Sequence, residues 1–306
     1  MSEPMGSERP LVWITGASGQ LGTALSHLLP ESVHYDRVLT TRAEVDLTSF
    51  GQLSHFLRER EPDVVINCAA YTAVDGAETL SEDELFETNT LCLMQLHELR
   101  PHLPIVQIST DYVFGGNAET TMPYVEEDVA DPINRYGKSK ADADHFLIAN
   151  HPESYILRTA WLYGPASWGR SFYRSIRGKV EAGEPIRCVT DEVGSPTSTM
   201  TLARVIGRLL DGLTDPEATD PLPYGLYHVA DLGETSRYHF AATIARLLTG
   251  REDYPISPIT QADLALPASR PHYSALSTEK IQKYYPDLLR PWEEALEEVI
   301  DRDTQR

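Results

Sequence analysis

Tyr136 and Lys140, in the run Tyr136-Gly137-Lys138-Ser139-Lys140, stand four residues apart. On a helix that spacing puts both side chains on one face, a turn apart. A phenol with a reference pKa of about 10 exchanges no proton near neutrality. An ammonium about 4 Å away, at an effective dielectric of about 20, favours the phenolate by roughly 4 kcal/mol. That is about three pKa units, and desolvation opposes part of it. The pair reads as a proton donor tuned by its lysine, although any exposed helix can carry the same spacing.

A second cluster with chemical meaning is Gly16-Ala17-Ser18-Gly19-Gln20-Leu21-Gly22, which follows the apolar run Leu11–Thr15 and precedes the helical pattern Thr23–Leu29. Strand, glycine turn and helix together suit a dinucleotide. Gly16 permits the turn, Gly19 lets the backbone approach a pyrophosphate, and Gly22 lets helix and strand pack closely, with the helix N-terminus drawing the anion. The spacing is Gly-x-x-Gly-x-x-Gly, so a plain tight turn is the alternative. Arg42, just after the second strand pattern, could pair with the 2′-phosphate of NADP, where an acid would favour NAD; a solvated loop arginine is the alternative. Ser109, Thr110 and Asp111 end the fourth apolar run, where ligands bind in an open α/β sheet.

The elements that must position these groups alternate. Strand patterns cover Leu11–Thr15, Val33–Thr40, Asp63–Ala70, Pro104–Ile108 and Tyr155–Thr159. Helical patterns cover Leu47–Arg60, Ser81–Leu99 and the Tyr136 segment through about Asn150. Asn89 falls inside the second of these, where an asparagine is either exposed or turned towards a ligand. Five alternations predict an α/β fold, a Rossmann-type doubly wound parallel sheet. The Met1–Pro10 tail is polar, the nucleotide-binding part runs from 11 to 165, and a smaller mixed α/β region from 166 to 306 follows a soft boundary.

Forty-six acids against 26 bases give a net charge of −20, which disfavours nucleic acid and anionic membranes as partners. Any anionic ligand therefore needs a local cationic or backbone-amide site. The bases are 5 Lys and 21 Arg, a balance that suits a salty cytosol or an Arg-rich codon bias. Cys68, Cys92 and Cys188 show no metal or redox spacing and read as reduced thiols of a cytoplasmic protein. No apolar run reaches the ~18 residues of a membrane span.

Seven stretches, GASGQLG, NCAAYTAVDGAE, STDYVFGG, RYGKSK, RTAWLYG, DEVGSPTS and SRPHYSALSTEK, stand in the order found in one family. Through them the chain resembles the extended short-chain dehydrogenase/reductases, and within these the dTDP-4-dehydrorhamnose reductases. The resemblance implies reduction of dTDP-4-dehydro-L-rhamnose to dTDP-L-rhamnose with NADPH, the preferred coenzyme, or NADH. Tyr136 would protonate the C4 oxygen, Lys140 would hold the nicotinamide ribose, and Thr110 would hydrogen-bond the same oxygen. Ser18, Gly19, Gln20 and Leu21 would cover the pyrophosphate, and Asp46 and Leu47 would lie at the adenine. Ala69, Ala70, Tyr71 and Thr72 would line the nicotinamide side. Asp111 would touch the sugar, and Trp161 would pack on the deoxysugar or base unless it only packs after a strand. Arg270 would meet the diphosphate unless it forms a surface ion pair. A homodimer is compatible with the family. No metal site is carried over, because Ala24 stands where some members place a magnesium-binding glutamate. The competing readings are an NADP-binding regulatory subunit like that of methionine adenosyltransferase and a nucleotide-sugar epimerase.

Overall fold

Leu11–Thr15 (β1) has no polar residue before its last position, and Val64–Asn67 (β3) is buried throughout. Such runs can only sit where both faces of a sheet are covered. A computed structural model, describing residues 9–29, 34–117, 119–215, 217–218 and 221–305, shows how this is met. The other strands of the central sheet are Asp36–Leu39 (β2), Ile105–Thr110 (β4), Ser154–Thr159 (β5) and Gly225–His228 (β6). All six are parallel, in the order β6-β5-β4-β3-β1-β2. This is the doubly wound α/β sheet expected. Its sixth strand comes from beyond residue 165, so both parts of the chain build one sheet.

Helices cover each face. Gln20–Leu28 (α1) and Thr199–Thr214 (α7) pack on the side where Val12, Ile14, Ile66 and Leu157 point. Phe50–Arg60 (α2), Cys92–Leu99 (α4) and Arg135–Asn150 (α5) cover the side of Trp13, Val65, Ile105 and Ile156. Neighbouring residues of one strand serve opposite cores, as the two-residue period demands. Phe172–Glu181 (α6), Arg237–Thr249 (α8) and Trp292–Thr304 (α9) belong to the second part. Near its end, α9 carries Asp303, whose carboxylate accepts from the Ala166 amide at 2.9–3.0 Å and the Tyr173 hydroxyl at 3.0 Å, and pairs with Arg177 at 2.6 Å.

Several expected boundaries shift. The helix expected from Leu47 begins at Phe50, because Ser49 caps it. The strand expected over Asp63–Ala70 stops at Asn67, where the chain turns over the cleft. The expected helix over Ser81–Leu99 is three pieces: Glu82–Phe86 (α3), a π-helical segment Glu87–Leu91, and α4. Most of the expected tail, residues 1–8, lies outside the described residues, as does Val33, the expected start of the second strand. Among the described residues no helix is long and apolar enough to cross a membrane.

Candidate active site

The strand order reverses between β1 and β3, and a cleft opens at the carboxyl ends of these strands, where such sheets bind ligands. A buried polar row fixes its floor. Thr15 Oγ1 donates to Asn67 Oδ1 at 2.7 Å, and Asn67 Nδ2 donates to Gln107 Oε1 at 2.8 Å. The three residues are in register across β1, β3 and β4, so the row locks the strand ends at which the site is built.

The glycine loop lies on this floor. Gly16 has φ +62°, and a Cβ there would sit 2.7 Å from the Ala69 nitrogen. A Cβ on Gly22 would sit 2.4 Å from the Gly16 carbonyl oxygen. Gly19 precedes α1 without a side-chain cap, which leaves the first amides of the helix free for an anion. Beside the loop is a cavity of about 250 Å³ bordered by Ser18, Arg42, Asp46 and Leu47 on one side and by Ala69, Ala70 and Tyr71 on the other. Both the cradle and the cavity fit a dinucleotide. Tyr71, expected on the nicotinamide side, borders this outer cavity, with its amide held by Asn89 Oδ1 at 2.8 Å.

Arg42 is largely exposed and its Nε reaches Asp46 Oδ2 at 3.4 Å, a surface pair of small strength. The guanidinium is therefore free to turn to a 2′-phosphate. Arg42→Asp is expected to lower the kcat/KM ratio of NADPH to NADH about tenfold or more, the size of a charge-assisted contact. Steady-state kinetics with both coenzymes check this, and an unmoved ratio would leave Arg42 a loop residue.

The inner cavity, about 380 Å³, joins Gly19, Gln20 and Leu21 to Ala69, Ala70 and Thr72, and these to Thr110, Asp111, Tyr136, Lys140 and Trp161. Tyr136 sits in the first turn of α5, which Asn134 caps by accepting from the Gly137 amide at 2.7 Å. Gly137 has its own reason: a Cβ there would fall 2.0 Å from the Tyr112 carbonyl oxygen. Only glycine lets α5 lie against the turn Asp111–Val113, bringing Tyr136 beside Thr110.

The electrostatics differ from the expected Tyr–Lys couple. Burial pushes the Tyr136 phenol up, its hydrogen bond with Thr110 pulls against it, and Asp111 raises it further. Lys140 is not among the groups acting on the phenol: its ammonium donates to the Ile108 carbonyl at 2.7 Å, and burial lowers its pKa. The i,i+4 spacing shares a face, but the lysine chain runs to the sheet instead of along the helix. Asp111 is buried, accepts from Ser274 Oγ at 2.6 Å and Thr110 Oγ1 at 3.2 Å, and is pushed up by burial to about 6. The site so holds a proton-loaded phenol, a hydroxyl beside it and a carboxyl that is easily protonated. This can donate a proton to an oxygen bound in the cleft.

Asn89 is neither exposed nor in the inner cavity. The π turn carries it inwards, where Nδ2 donates to Ser139 Oγ at 2.9 Å and to the Tyr71 carbonyl at 3.2 Å. It ties the loop after β3 to the helix bearing Tyr136 and Lys140. Arg270 does not reach the cavity wall either. Both its terminal nitrogens are held by the Asp75 carboxylate, at 3.1 and 2.7 Å, in a partly buried bidentate pair. Two cations that do line the cavity, Arg170 and Arg237, fall outside every motif read in the sequence.

Trp161 adopts φ +47°, and its indole lies against Gly194, where a Cβ would meet the ring at 2.7–2.8 Å. Gly194→Ala is expected to displace the indole and cost about 1–3 kcal/mol, as overpacking does. Thermal melts and tryptophan emission measure it, and a variant matching the parent in both would show that the ring has room to move.

A family model described as the RmlD substrate binding domain matches residues 11–305. The chain belongs to this family. The dTDP-4-dehydrorhamnose reductase of Aggregatibacter actinomycetemcomitans is 32% identical over 292 residues, covering 94% of this chain and 97% of that protein. A probable dTDP-4,6-dihydroxy-2-methyloxan-3-one 4-ketoreductase of Streptomyces antibioticus is 35% identical, covering 94% and 93%. The structure of a dTDP-4-dehydrorhamnose reductase from Bacillus anthracis in complex with NADP superposes with a TM-score of 0.83 at 32% identity, covering 96% of this chain and 99% of that one.

Proposed function

We propose that this protein reduces dTDP-4-dehydro-L-rhamnose to dTDP-L-rhamnose at the expense of NADPH. The observation that carries the reading is the meeting of Thr110 and Tyr136 in the inner cavity, next to a glycine cradle shaped for a dinucleotide. The coenzyme supplies a hydride to the C4 carbon. The chain supplies the rest. Tyr136 gives its proton to the C4 oxygen, and Thr110 hydrogen-bonds that oxygen as charge gathers on it. Lys140, fixed through Ile108, presents its ammonium to the coenzyme ribose, and the arriving ligands displace water from the cavity. Asp111 meets the sugar hydroxyls. The backbone amides at the start of α1 take the coenzyme pyrophosphate, while Arg42 takes the 2′-phosphate. A cytoplasmic site of action accords with this reading.

The test is an assay of purified protein with dTDP-4-dehydro-6-deoxy-L-mannose and NADPH or NADH, followed by coenzyme absorbance. Stoichiometric coenzyme consumption with dTDP-L-rhamnose as product is the expected result. Turnover without net consumption would make the protein an epimerase. No turnover with retained NADP binding would make it a regulatory subunit. The Streptomyces relative makes a second dTDP-4-ketosugar the natural comparison substrate.

A further inference from the structure

A nucleoside diphosphate-sugar carries its diphosphate into a protein of net charge −20, so the cleft must offer a cation of its own. Arg270 is occupied by Asp75. The cations that line the inner cavity are Lys140, Arg170 and Arg237. Lys140 is buried, donates to the Ile108 carbonyl and, in the function proposed above, serves the coenzyme ribose. The Arg170 carbonyl accepts from Gln20 Nε2 at 2.7 Å, which places the backbone of that residue beside the glycine loop. That leaves it at the coenzyme's edge.

Arg237 is placed differently. It opens α8, and its guanidinium carbon lies 3.7 Å over the Trp161 ring and 4.9 Å from the Phe172 ring. Glu192, itself buried, takes only Nε, at 3.4 Å. The Arg237 amide also donates to the Glu192 carbonyl at 3.0 Å, which pins the start of the side chain. Trp161 in turn is backed by Gly194. The guanidinium plane is thus set by an aromatic wall, a carboxylate and its own backbone, while Nη1 and Nη2 remain for a ligand. Its charge is felt by both Asp111 and Tyr112, so it stands close to the reacting end of the cavity. A planar fork held in this way suits two phosphate oxygens at once.

We infer that Arg237, stacked on Trp161, receives the diphosphate of the nucleoside diphosphate-sugar and so anchors the substrate beside Thr110 and Tyr136. The inference rests on the function proposed above. In it, Trp161 serves as the support of the arginine, and the indole face that the guanidinium covers is not a platform for the base.

The test compares dTDP, dTMP and NADP⁺ binding to the parent protein, Arg237→Gln and Arg237→Lys by calorimetry. Arg237→Gln is expected to weaken dTDP about tenfold or more, the size of a lost charge-assisted contact. dTMP should weaken less, so the preference for dTDP over dTMP collapses, and NADP⁺ should bind as before. Arg237→Lys keeps the charge without the fork and should fall between. An unchanged dTDP-to-dTMP ratio would overturn the assignment. Equal weakening of NADP⁺ would overturn it too, because the guanidinium would then serve the coenzyme's diphosphate or the cleft as a whole. If Arg237→Gln does not fold, the same ratio in Arg237→Lys decides, an unchanged value again overturning the assignment. A parent protein that prefers UDP or GDP to dTDP would sink the dTDP-sugar reading alone, and Arg237 would be judged by the diphosphate-to-monophosphate ratio of that nucleotide.

Discussion

Tyr136→Phe is expected to lower kcat by about 10²–10⁴-fold, the usual contribution of a positioned general acid. The substitution removes one oxygen and little else. The ring keeps its edge-to-face contact with Tyr112, at 6.1 Å between centroids, and Gly137 still lets α5 sit on the turn before it. Coenzyme affinity should hold, because the glycine cradle and the residues that border the outer cavity are left unchanged. Because burial raises the phenol, Tyr136 of the parent protein stays protonated through neutrality and its donor form is not lost on the alkaline side of pH 7. Turnover kinetics with a separate NADPH titration check both halves. Near-parental turnover would remove Tyr136 from the chemistry, and lost coenzyme binding would make its role structural.

Asp144→Ala is expected to cost about 3–5 kcal/mol of stability, the penalty for orphaning a buried charge. Asp144 and Arg158 are both sealed from solvent and joined at 2.9 Å, with Ser109 donating to the same carboxylate oxygen at 2.9 Å. The triad bolts α5 to β4 and β5 one turn beyond Lys140. Removing the carboxylate leaves a guanidinium that cannot reach water, beside a His228 already held neutral, its pKa lowered to about 3 by burial and then by that same arginine. The melting temperature should fall on the order of 10 °C. Replacing both partners by apolar residues of similar volume should restore much of the loss, as with other buried pairs. A single variant that melts with the parent would mean that water reaches Arg158 after all.

What the sequence made legible was local. The β1 run, the three glycines and the Tyr136–Lys140 spacing declare themselves within a few residues, and each has its reason in backbone sterics or helical period. Partnerships between distant segments did not show. Nothing in the periodicity of residues 81–99 reveals that one turn widens at Glu87–Leu91 and swings Asn89 inwards, since a π turn shifts the face without altering the amino acids. Lys140 has the right spacing to tune Tyr136, but the Ile108 carbonyl decides where its ammonium goes. Arg237 has no motif at all; it matters because Trp161, Gly194 and Glu192 converge on it from other parts of the chain. Arg270, in a conspicuous motif, is claimed by Asp75.

The sixth strand sets an order of events during synthesis. β5 is buried at all its positions, yet the strand that covers its outer edge, Gly225–His228, is translated long after it. A ribosome adding about 5–20 residues per second leaves that edge bare for some seconds, with its amides and carbonyls open to any other extended chain. The nascent protein therefore passes through a window in which holdase chaperones have something to shield. A chain released near residue 165 would never leave that window. Even after β6 has docked, the segment that carries Arg170 lacks one of its clamps until Asp303 arrives to take the Ala166 amide and Tyr173.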